Sequence, residues 1–319
     1  MAKPVISILI PVYNAEKFIA QCLDSVVNQS FKDIEVIIAD DGSTDSSGSI
    51  LDDYSSKYDF IKVYHKENEG IVKTRSYLMR QATGKYIGWV DADDFIEETM
   101  FETMLNEAET THSELVLCDY NFYPESISSK GKWYKPYKGV VDWHFVERNG
   151  VHWNKLVSKD LIDRIDMASR NEFCGEGSYA LLFFFANGIS SIDKPLYNYR
   201  VGHSSLSTSF DNYSWYILNV DKAKRFREII DELNLSESWG EYYDAGILYA
   251  IIQVLITASY SRQKSAYQHY KIMYKEYKHN NLISQILDDD FGKMKSFVVR
   301  KVIPSNYSLA RVVTKVALK

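Results

Sequence analysis

The chain has 319 residues, of which 45% are hydrophobic, 25% are charged and 14% are aromatic. This balance is ordinary for a globular protein and excludes a disordered, collagenous or low-complexity chain. The length allows one large domain with an appendage or two medium-sized domains. The net charge of −6 argues against a nucleic-acid-binding protein, because such proteins present a basic contact face.

Positive charge is concentrated at the C-terminal end. Residues 291–319 contain seven lysines and arginines and no acidic residue, so the rest of the chain is more acidic than the net charge suggests. A basic tail on an acidic body is attracted to an anionic membrane surface, where each Lys or Arg contributes about 1 kcal/mol. A solvated helical end would have the same composition, and both interpretations stay open.

The cysteines and the N-terminus indicate a reducing compartment. Cys22, Cys118 and Cys174 are widely separated and form no CxxC pair, which is typical of small buried side chains and not of a disulfide framework or a zinc site. The N-terminus lacks the apolar stretch of a signal peptide. The uncharged segment Ala245–Ser259 is shorter than the roughly 20 residues that span a bilayer. We therefore expect a cytoplasmic protein, with peripheral docking at the inner face of the membrane as the open alternative.

The first hundred residues alternate between strand and helix patterns. The predicted strands are Val5–Ile10, which Pro11 ends, Ile34–Ala39, Ile61–His65 and Tyr86–Val90. The predicted helices between them are Ala15–Asn28, a segment ending near Tyr58, and Ile71–Gln81. Strands that are apolar along their whole length and alternate with helices predict a parallel sheet covered on both faces.

The pattern changes twice after this region. Between Thr99 and Phe210 it is mixed, with predicted helices at Thr99–Thr110 and around Tyr179–Ala186 and predicted strands at Glu114–Cys118, Ile189–Ile192 and Tyr197–Arg200. After Phe210 only helices are predicted, at Asn212–Leu233, Trp239–Tyr260 and Lys264–Lys278. We therefore divide the chain into residues 1–98, 99–210 and 211–319, the last with the basic tail.

Polar clusters follow each of the first four predicted strands. They are Pro11–Asn14, Asp40–Asp45, Asn68–Gly70 and Asp91–Asp94. Ligands of open α/β sheets bind at the carboxyl ends of the strands. Because four separate loops meet at that edge, the sequence predicts a functional site there.

The pair Asp91 and Asp93 predicts a divalent metal. Crowded carboxylates repel each other unless a cation or a hydrogen-bond donor compensates them. Mg²⁺ or Mn²⁺ suits these hard oxygen ligands, and Mg²⁺ is typically held by one or two carboxylates together with substrate phosphates. A solvated turn that caps the next helix is the bland alternative for so short a motif. The converging loops favour the metal.

Other binding motifs are excluded by the residues present. A calcium loop counted from Asp91 places Phe95 and Ile96 where an oxygen ligand and a glycine belong. The chain contains neither GxGxxG nor GxxxxGK[ST], so it lacks the dinucleotide and P-loop fingerprints. Asp40 and Asp41 are instead placed to accept hydrogen bonds from a ligand, and Ser43, Thr44 or Asp45 would cap the following helix. Lys73 and Arg75 would suit a diphosphate, but for lone cations on a helix solvated surface charge is the favoured interpretation.

These segments, in this order, resemble the family 2 glycosyltransferases, which have a GT-A fold. The matching stretches are Ser7–Asn14, Ile38–Asp45, Asn68–Gly70 with Arg75, Ala82–Ile87 and Asp91–Asp94. Weaker similarity follows at Trp153–Leu156, Gly175-Glu176 and Leu196–Arg200 with Ser204–Ser207. The resemblance covers about residues 4–210 and implies an α/β GT-A domain with a mostly parallel sheet, followed by a helical C-terminal region.

The family implies transfer of a sugar, with inversion, from a nucleotide sugar to an acceptor hydroxyl. By this resemblance residues 1–98 form the nucleotide-sugar-binding half and residues 99–210 the acceptor-binding half. The implied nucleotide-binding residues are Pro11, Val12, Tyr13, Asp40, Asp41, Gly70, Arg75, Asp91 and Ala92. Asp91 and Asp93 would hold Mg²⁺ or Mn²⁺ on the diphosphate, with Asp93 as the direct ligand. The predicted acceptor contacts are Trp153, Lys155 and His203.

The general base departs from the family pattern. The family usually shows Glu-Asp, with the aspartate as the base, whereas this chain has Glu176-Gly177. We assign the base to Glu176, with His203 as a second candidate and an inactive enzyme as a third outcome. The aromatic residues of the middle region are expected to be mostly core, although they would also suit a platform for sugar rings (Trp133, Tyr134, Tyr137, Trp143 and Trp153).

Three functional hypotheses result. The leading one is a metal-dependent, inverting transferase that uses a UDP-sugar and a glycan, lipid-linked or protein-linked acceptor in surface polysaccharide or glycoprotein synthesis. The second is a catalytically silent sugar-nucleotide-binding protein, and Gly177 is the residue that favours it. A sugar nucleotidyltransferase ranks last, because Pro11–Asn14 is not the glycine-rich, arginine-containing turn of that class. No nucleic-acid partner is expected, and the helical region is a candidate for dimerisation or membrane contact.

Overall fold

A mixed sheet organises the N-terminal part of the chain. The computed structural model describes residues 3–124, 134–141, 145–146, 149–165, 182–202, 212–232 and 236–316. Two compact units are present, Met1–His203 and Ser204–Lys319. The eight strands of the first unit are β1 (Ile6–Val12), β2 (Ile34–Asp40), β3 (Ile61–His65), β4 (Tyr86–Trp89), β5 (Phe95–Ile96), β6 (Leu115–Tyr123), β7 (Lys155–Ser158) and β8 (Ile189–Arg200). Their order in the sheet is β3-β2-β1-β4-β7-β6-β8-β5.

The helices of this unit connect and cover the strands. They are α1 (Ile19–Val27), α2 (Ser47–Lys57), α3 (Ile71–Gln81), α4 (Met100–Thr111), α5 (Lys159–Arg164) and α6 (Leu182–Phe185). Every residue of β1 and β2 is buried, because these central strands are covered on both faces. The predicted α/β architecture is confirmed, and β3 and α3 have the predicted bounds.

The four N-terminal strands are parallel. The register places Val12 beside Asp40 and Asp40 beside His65, so the carboxyl ends of β1, β2 and β3 lie next to one another. Beyond β4 the sheet is mixed, because β7 runs antiparallel to both β4 and β6.

The prediction that Pro11 ends the first strand was wrong. β1 continues through Pro11 to Val12 and stays paired with β2. On its other side, β1 pairs with β4 only from Ile6 to Leu9. A proline lacks the backbone N–H, and it is tolerated where no neighbouring strand needs that donor. Pro11 lies beyond the end of β4, so the strand loses no ladder bond there.

Two further differences concern the second half of the sheet. The predicted strands Ile189–Ile192 and Tyr197–Arg200 form one strand, β8, which pairs with β6 through register shifts on either side of Asp119. These shifts accommodate Pro195 opposite Asp119 within a continuous pairing. The four-residue strand β7 was not predicted, because so short an apolar run carries no usable periodicity.

The second unit is helical throughout its described residues. Its elements are α7 (Asn212–Glu232), α8 (Ser236–Tyr260), α9 (Lys264–Tyr277), α10 (Leu282–Phe297), a π-helical turn (Val298–Val302) and α11 (Tyr307–Val316). The stretch Gly240–Ser259 of α8 is long and apolar enough to cross a membrane, but 61% of it is buried within the protein. It packs against α7, α9, α10 and α11 and forms the core of the unit. The predicted boundary near residue 210 lies outside the described residues.

Candidate functional site

The loops after β1 and β2 are joined by side-chain hydrogen bonds. Asn14 accepts from the backbone N–H of Thr44 at 2.8 Å, and its own N–H donates to Ser43 Oγ at 2.9 Å. The N–H of Ala15 donates to Ser47 Oγ at 2.8 Å. Asn14 has a φ of 50°, a left-handed conformation that asparagine tolerates well. These bonds fix the Pro11–Asn14 loop against the start of α2.

Tyr13 differs from its neighbours in accessibility. Pro11 and Val12 are buried as part of β1, whereas 54% of the Tyr13 side chain is exposed at the end of the strand. An exposed aromatic ring at the carboxyl edge of a sheet is suited to stacking on a planar ligand group. Of the residues predicted to contact the nucleobase in this segment, Tyr13 has an accessible ring. Pro11 and Val12 are buried and fix the position of Tyr13 at the end of β1.

Asp40 is held by protein groups on both carboxylate oxygens. Oδ1 accepts the N–H of Ser43 at 3.0 Å, and Oδ2 lies 2.9 Å from His65 Nδ1. His65 Nε2 lies 3.1 Å from Asp52 Oδ1, so one imidazole bridges two carboxylates. Hydrogen bonds to Asp40 and then to Asp52 raise the pKa of His65.

Asp41 organises the loop that follows β3. Its oxygens accept from Lys66 Nζ at 2.8 Å and from the N–H groups of Glu69 and Gly70 at 3.0 and 2.9 Å. Burial acts to raise the pKa of Asp41, but the hydrogen bonds from Lys66 and from the Glu69 N–H outweigh it and hold the pKa below its usual range. Gly70 precedes α3 and has a φ of 86°, a conformation that favours glycine.

The Asp91–Asp94 turn is anchored from β8. The N–H of Asp91 donates to Tyr197 Oη at 3.1 Å, and that hydroxyl donates to Asp94 Oδ2 at 2.8 Å. Arg200 donates from its backbone N–H to Asp94 Oδ1 and from Nε to the Asp93 carbonyl, both at 2.7 Å. Asp94 is 1% exposed, and burial followed by the charges of Asp93 and Asp91 raises its pKa well above the usual range.

These contacts separate the three aspartates by role. Asp94 is an internal acceptor that shapes the turn, whereas Asp91 and Asp93 are only half-buried. Ala92, between them, is buried. The pair Asp91 and Asp93 is therefore more accessible than Asp94 in the turn that follows β4.

Arg75 forms an ion pair with Asp91. Its Nη2 lies 3.3 Å from Asp91 Oδ1, and the residue is only 6% exposed. Its Nε and Nη1 are buried and have no hydrogen-bond partner. A buried guanidinium normally satisfies its donors, since each unmade bond costs free energy. Two free donors of fixed geometry beside the strand ends are the chemistry that binds a phosphate or diphosphate.

The donor set fits a divalent cation in part. Asp91 and Asp93 supply two hard oxygen ligands, and Mg²⁺ commonly completes its coordination with substrate phosphates and water. Within the described ranges, no group of three or more His, Cys, Asp or Glu side chains is placed to hold a metal. A metal held by Asp91 and Asp93 would complete its coordination with other ligands, such as substrate phosphates or water.

The predicted acceptor residues lie deeper than expected. Trp153 is 6% exposed and stacks on Tyr197 and Tyr199, with ring centroids 4.4 and 5.4 Å apart. Lys155 is fully buried, and its ammonium donates to Val151 O and Asn154 Oδ1. Burial lowers the pKa of Lys155 to about 7.

Trp153 and Lys155 therefore do not present their side chains to an acceptor in this conformation, and packing is their observed role. Tyr134 and Tyr137 are half-buried, as expected for core aromatics. The remaining predicted residues of this region lie outside the described residues (Trp133, Trp143, Glu176 and His203).

Several residues of the site were not singled out by sequence reasoning. They are Lys66, His65, Tyr197 and Arg200, which hold the aspartates in place. Tyr197 and Arg200 lay within a stretch that matched the family, which was the available signal. The pairings themselves join residues as far as 107 positions apart, and no local pattern encodes them.

Comparison with known proteins relates the chain to glycosyltransferases. The model of glycosyl transferase family 2 matches residues 7–172. EpsH of Bacillus subtilis is 33% identical over 219 residues, which are 65% of this chain and 63% of EpsH. The minor teichoic acid biosynthesis protein GgaB of the same organism is 27% identical over 66% of this chain and 25% of its own length. The match thus spans less than two thirds of EpsH.

Solved structures show the fold. The structure of S. aureus TarS 1–349 in complex with UDP-GlcNAc superposes with a TM-score of 0.71 at 18% identity, covering 98% of this chain and 92% of that one. The first unit thus has the GT-A fold that the sequence predicted, and a helical region follows it. With more than half of its residues matched by the family model, the chain belongs to glycosyl transferase family 2.

Proposed function

We propose that the chain transfers a sugar, with inversion, from a nucleotide sugar to an acceptor hydroxyl. The observation that carries this proposal is Arg75, a buried guanidinium with two free donors beside Asp91. It lies where the parallel strands end, the usual ligand position in such sheets. A diphosphate would satisfy these donors and balance the charge. A UDP-sugar is the donor we favour, because the TarS structure with the same fold was solved with UDP-GlcNAc.

The residues divide the chemistry between them. Tyr13 would stack on the nucleobase, and Arg75 would bind the diphosphate. Asp91 and Asp93 would hold Mg²⁺ or Mn²⁺, which stabilises the negative charge that develops on the leaving diphosphate. Gly70 opens α3 with no side chain in the way of the phosphates. Asp40 and Asp41 hold the loops in place through hydrogen bonds to protein groups. For either carboxylate to contact the nucleobase, as predicted, one of its oxygens would have to accept a hydrogen bond from the base in addition to its present ones.

Inversion requires a base on the side of the sugar opposite the diphosphate. The acceptor oxygen attacks the anomeric carbon, its proton passes to the base, and the bond to the diphosphate breaks. We assign the base to Glu176, and His203 is the second candidate. The acceptor would be a glycan or a lipid-linked or protein-linked precursor of a surface polysaccharide. The relationship to a teichoic acid biosynthesis protein supports this class.

The location we propose is the cytoplasm, with peripheral contact at the inner face of the membrane. The basic composition of residues 291–319 supports membrane contact. Dimerisation through the helical unit stays a prediction.

The second candidate is a silent binder of sugar nucleotides, which Gly177 favours because the family's usual aspartate is missing. The deciding experiment measures UDP release with a panel of UDP-sugars and candidate acceptors in the presence of Mg²⁺ or Mn²⁺. Acceptor-dependent release supports the transferase. Tight, metal-dependent binding without turnover of any donor would identify the silent binder. Absence of both binding and turnover would contradict both candidate functions.

A further inference from the structure

A polar cavity lies within the helical unit. Its volume is about 200 Å³, and it is formed where α9 ends, α10 begins and the π-helical turn passes. The cationic side chains that line it are Lys278, Arg300 and Lys301, together with the amides of Asn280 and Asn281. No acidic residue is among the described residues that line it. A cavity of this size with this lining suits one phosphate-sized anion.

Arg300 is incompletely satisfied in this cavity. Its Nη1 donates to Ser284 Oγ and its Nη2 lies 3.6 Å from Asp288 Oδ1, but its Nε is buried without a hydrogen-bond partner. Tyr274 Oη donates to the Arg300 carbonyl at 2.7 Å and fixes the π-helical turn against α9. The guanidinium is therefore held in place at the wall of the cavity by Ser284 and Asp288.

The first turn of α10 forms another wall of the cavity. Asn280 Oδ1 accepts the N–H of Ile283 at 3.0 Å, and Asn280 Nδ2 donates to the Glu241 carbonyl at 2.7 Å. The loop between α9 and α10 is thus fixed by hydrogen bonds. The positive end of the α10 dipole adds to the charge of the three cationic side chains.

An exposed apolar stripe lies on α10 beyond its kink at Gly292. Met294 is 84% exposed and Phe297 is 57% exposed, and they lie three residues apart on α10. Lys293 and Lys295 are exposed on either side of this stripe, and Lys301, which follows one turn after Phe297, also lines the cavity. Large apolar side chains flanked by lysines are typical of helices that lie in a membrane interface. A soluble phosphate would need the cavity but not the stripe.

We propose that this cavity binds the phosphate of an anionic phospholipid headgroup, while Met294 and Phe297 insert among the neighbouring lipids. This assignment is independent of the proposed glycosyl transfer, since it uses only residues of the helical unit. It replaces a diffuse attraction of the basic tail by a defined headgroup site with an adjoining insertion surface. Lys301 lines the cavity and follows Phe297 by four residues, which connects the two features.

The experiment measures binding of the full chain to vesicles of phosphatidylglycerol mixed with phosphatidylcholine and to vesicles of phosphatidylcholine alone. The cavity variant is Lys278→Gln/Lys301→Gln. Its matched control is Lys264→Gln/Lys275→Gln, which removes the same charge from exposed positions of α9. The stripe variant is Met294→Gln/Phe297→Gln, and its control is Ile272→Gln, a 63% exposed side chain of α9.

The proposal expects the wild-type protein to bind the phosphatidylglycerol vesicles and to bind phosphatidylcholine at least about tenfold more weakly. It expects the cavity variant to lose at least about tenfold in binding to the anionic vesicles, since two charges near the surface are removed. The charge control should lose clearly less. The stripe variant should also weaken binding, whereas Ile272→Gln should not. Helical circular dichroism of each variant excludes unfolding as the cause.

Three results would overturn the proposal. Equal losses in the cavity variant and its charge control would show that only overall charge matters. Unchanged vesicle binding in the cavity variant would show that the headgroup is bound elsewhere. Saturable binding of inorganic phosphate, lost in the cavity variant and without any vesicle binding, would make the cavity a site for a soluble anion. None of these results depends on donor turnover, so a failed transferase assay leaves this test intact.

Discussion

Arg75 Nη2 lies 3.3 Å from Asp91 Oδ1, which joins α3 to the turn that begins two residues after β4. The pair places one positive and one negative group at the same strand ends. Because Nε and Nη1 of Arg75 remain without partners, the ion pair alone does not account for the buried guanidinium. The free donors and the half-buried carboxylates are complementary to a diphosphate with its metal.

Arg75→Lys should weaken binding of the nucleotide sugar. A lysine keeps the charge but cannot offer the same fork of donors. Hydrogen bonds to charged groups contribute about 1.5–3 kcal/mol, so KM for the donor should rise by about 10- to 150-fold. Lys73→Ala is the control, because this side chain is 59% exposed on the same helix and pairs with Glu69. Equal effects of the two variants would show that Arg75 has no special contact.

Asp93→Ala should abolish metal-dependent turnover. The variant removes a direct oxygen ligand, so neither Mg²⁺ nor Mn²⁺ should restore full activity at any concentration. Titration of each metal into chelator-treated protein measures the effect, with Asp53→Ala, an exposed carboxylate of α2, as the control. Full activity of Asp93→Ala would refute the assignment of the metal.

Tyr197→Phe should lower kcat by disordering the turn that carries the carboxylates. The change removes the acceptor of the Asp91 N–H and the donor to buried Asp94. A buried group left without its partner costs about 1–3 kcal/mol, and part of this should appear as a higher metal concentration at half-maximal rate. Tyr199→Phe is the matched control, because it also stacks on Trp153. A pure loss of stability with an unchanged metal requirement would contradict a positioning role.

His65→Gln should reduce stability in a pH-dependent way. The bonds to Asp40 and Asp52 raise the folded-state pKa of His65 above the ordinary value of about 6.5. Its contribution is therefore fully present below about pH 6.5 and is lost as the pH rises through the folded-state pKa. Since His65 is partly exposed, the difference should stay below about 1 kcal/mol. Urea unfolding at pH 5.5 and 9 measures it, and an equal difference at both values would count against the bridge.

Glu176→Gln should reduce kcat by about 10²–10⁴-fold while donor affinity stays unchanged, as expected for loss of a general base. Donor binding by the variant, measured without acceptor, separates the chemical step from folding. His203→Gln is the companion variant. A large loss in His203→Gln together with normal turnover in Glu176→Gln would transfer the role of the base to the histidine.

The sequence was informative where the chemistry is local. The apolar runs of β1 to β4 and the polar residues that follow them predicted the sheet edge and its aspartates, because strand periodicity and turn composition are short-range signals. The partners of those aspartates were not predictable. Tyr197 and Lys66 reach Asp94 and Asp41 only after the sheet has formed, and β7 is too short to show a pattern.

The burial of the residues assigned to the acceptor site could not be predicted from sequence similarity. Trp153 and Lys155 belong to a stretch that resembles the family, but similarity does not reveal which way a side chain faces. Trp153 packs against Tyr197 and Tyr199, and the Lys155 ammonium is enclosed by oxygens of its own segment. Trp153 thus packs against β8, the strand whose Tyr197 and Arg200 hold the Asp91–Asp94 turn.

The bonds from Asn14 to Ser43 and Thr44 make two loops from different parts of the chain behave as one body. If a nucleotide sugar binds at these two loops, the loops are already ordered, so binding would cost little conformational entropy for ordering them. The same coupling restricts how the two segments can evolve. A change at Asn14 removes the side-chain acceptor of the Thr44 backbone N–H, and no substitution at Thr44 restores that bond.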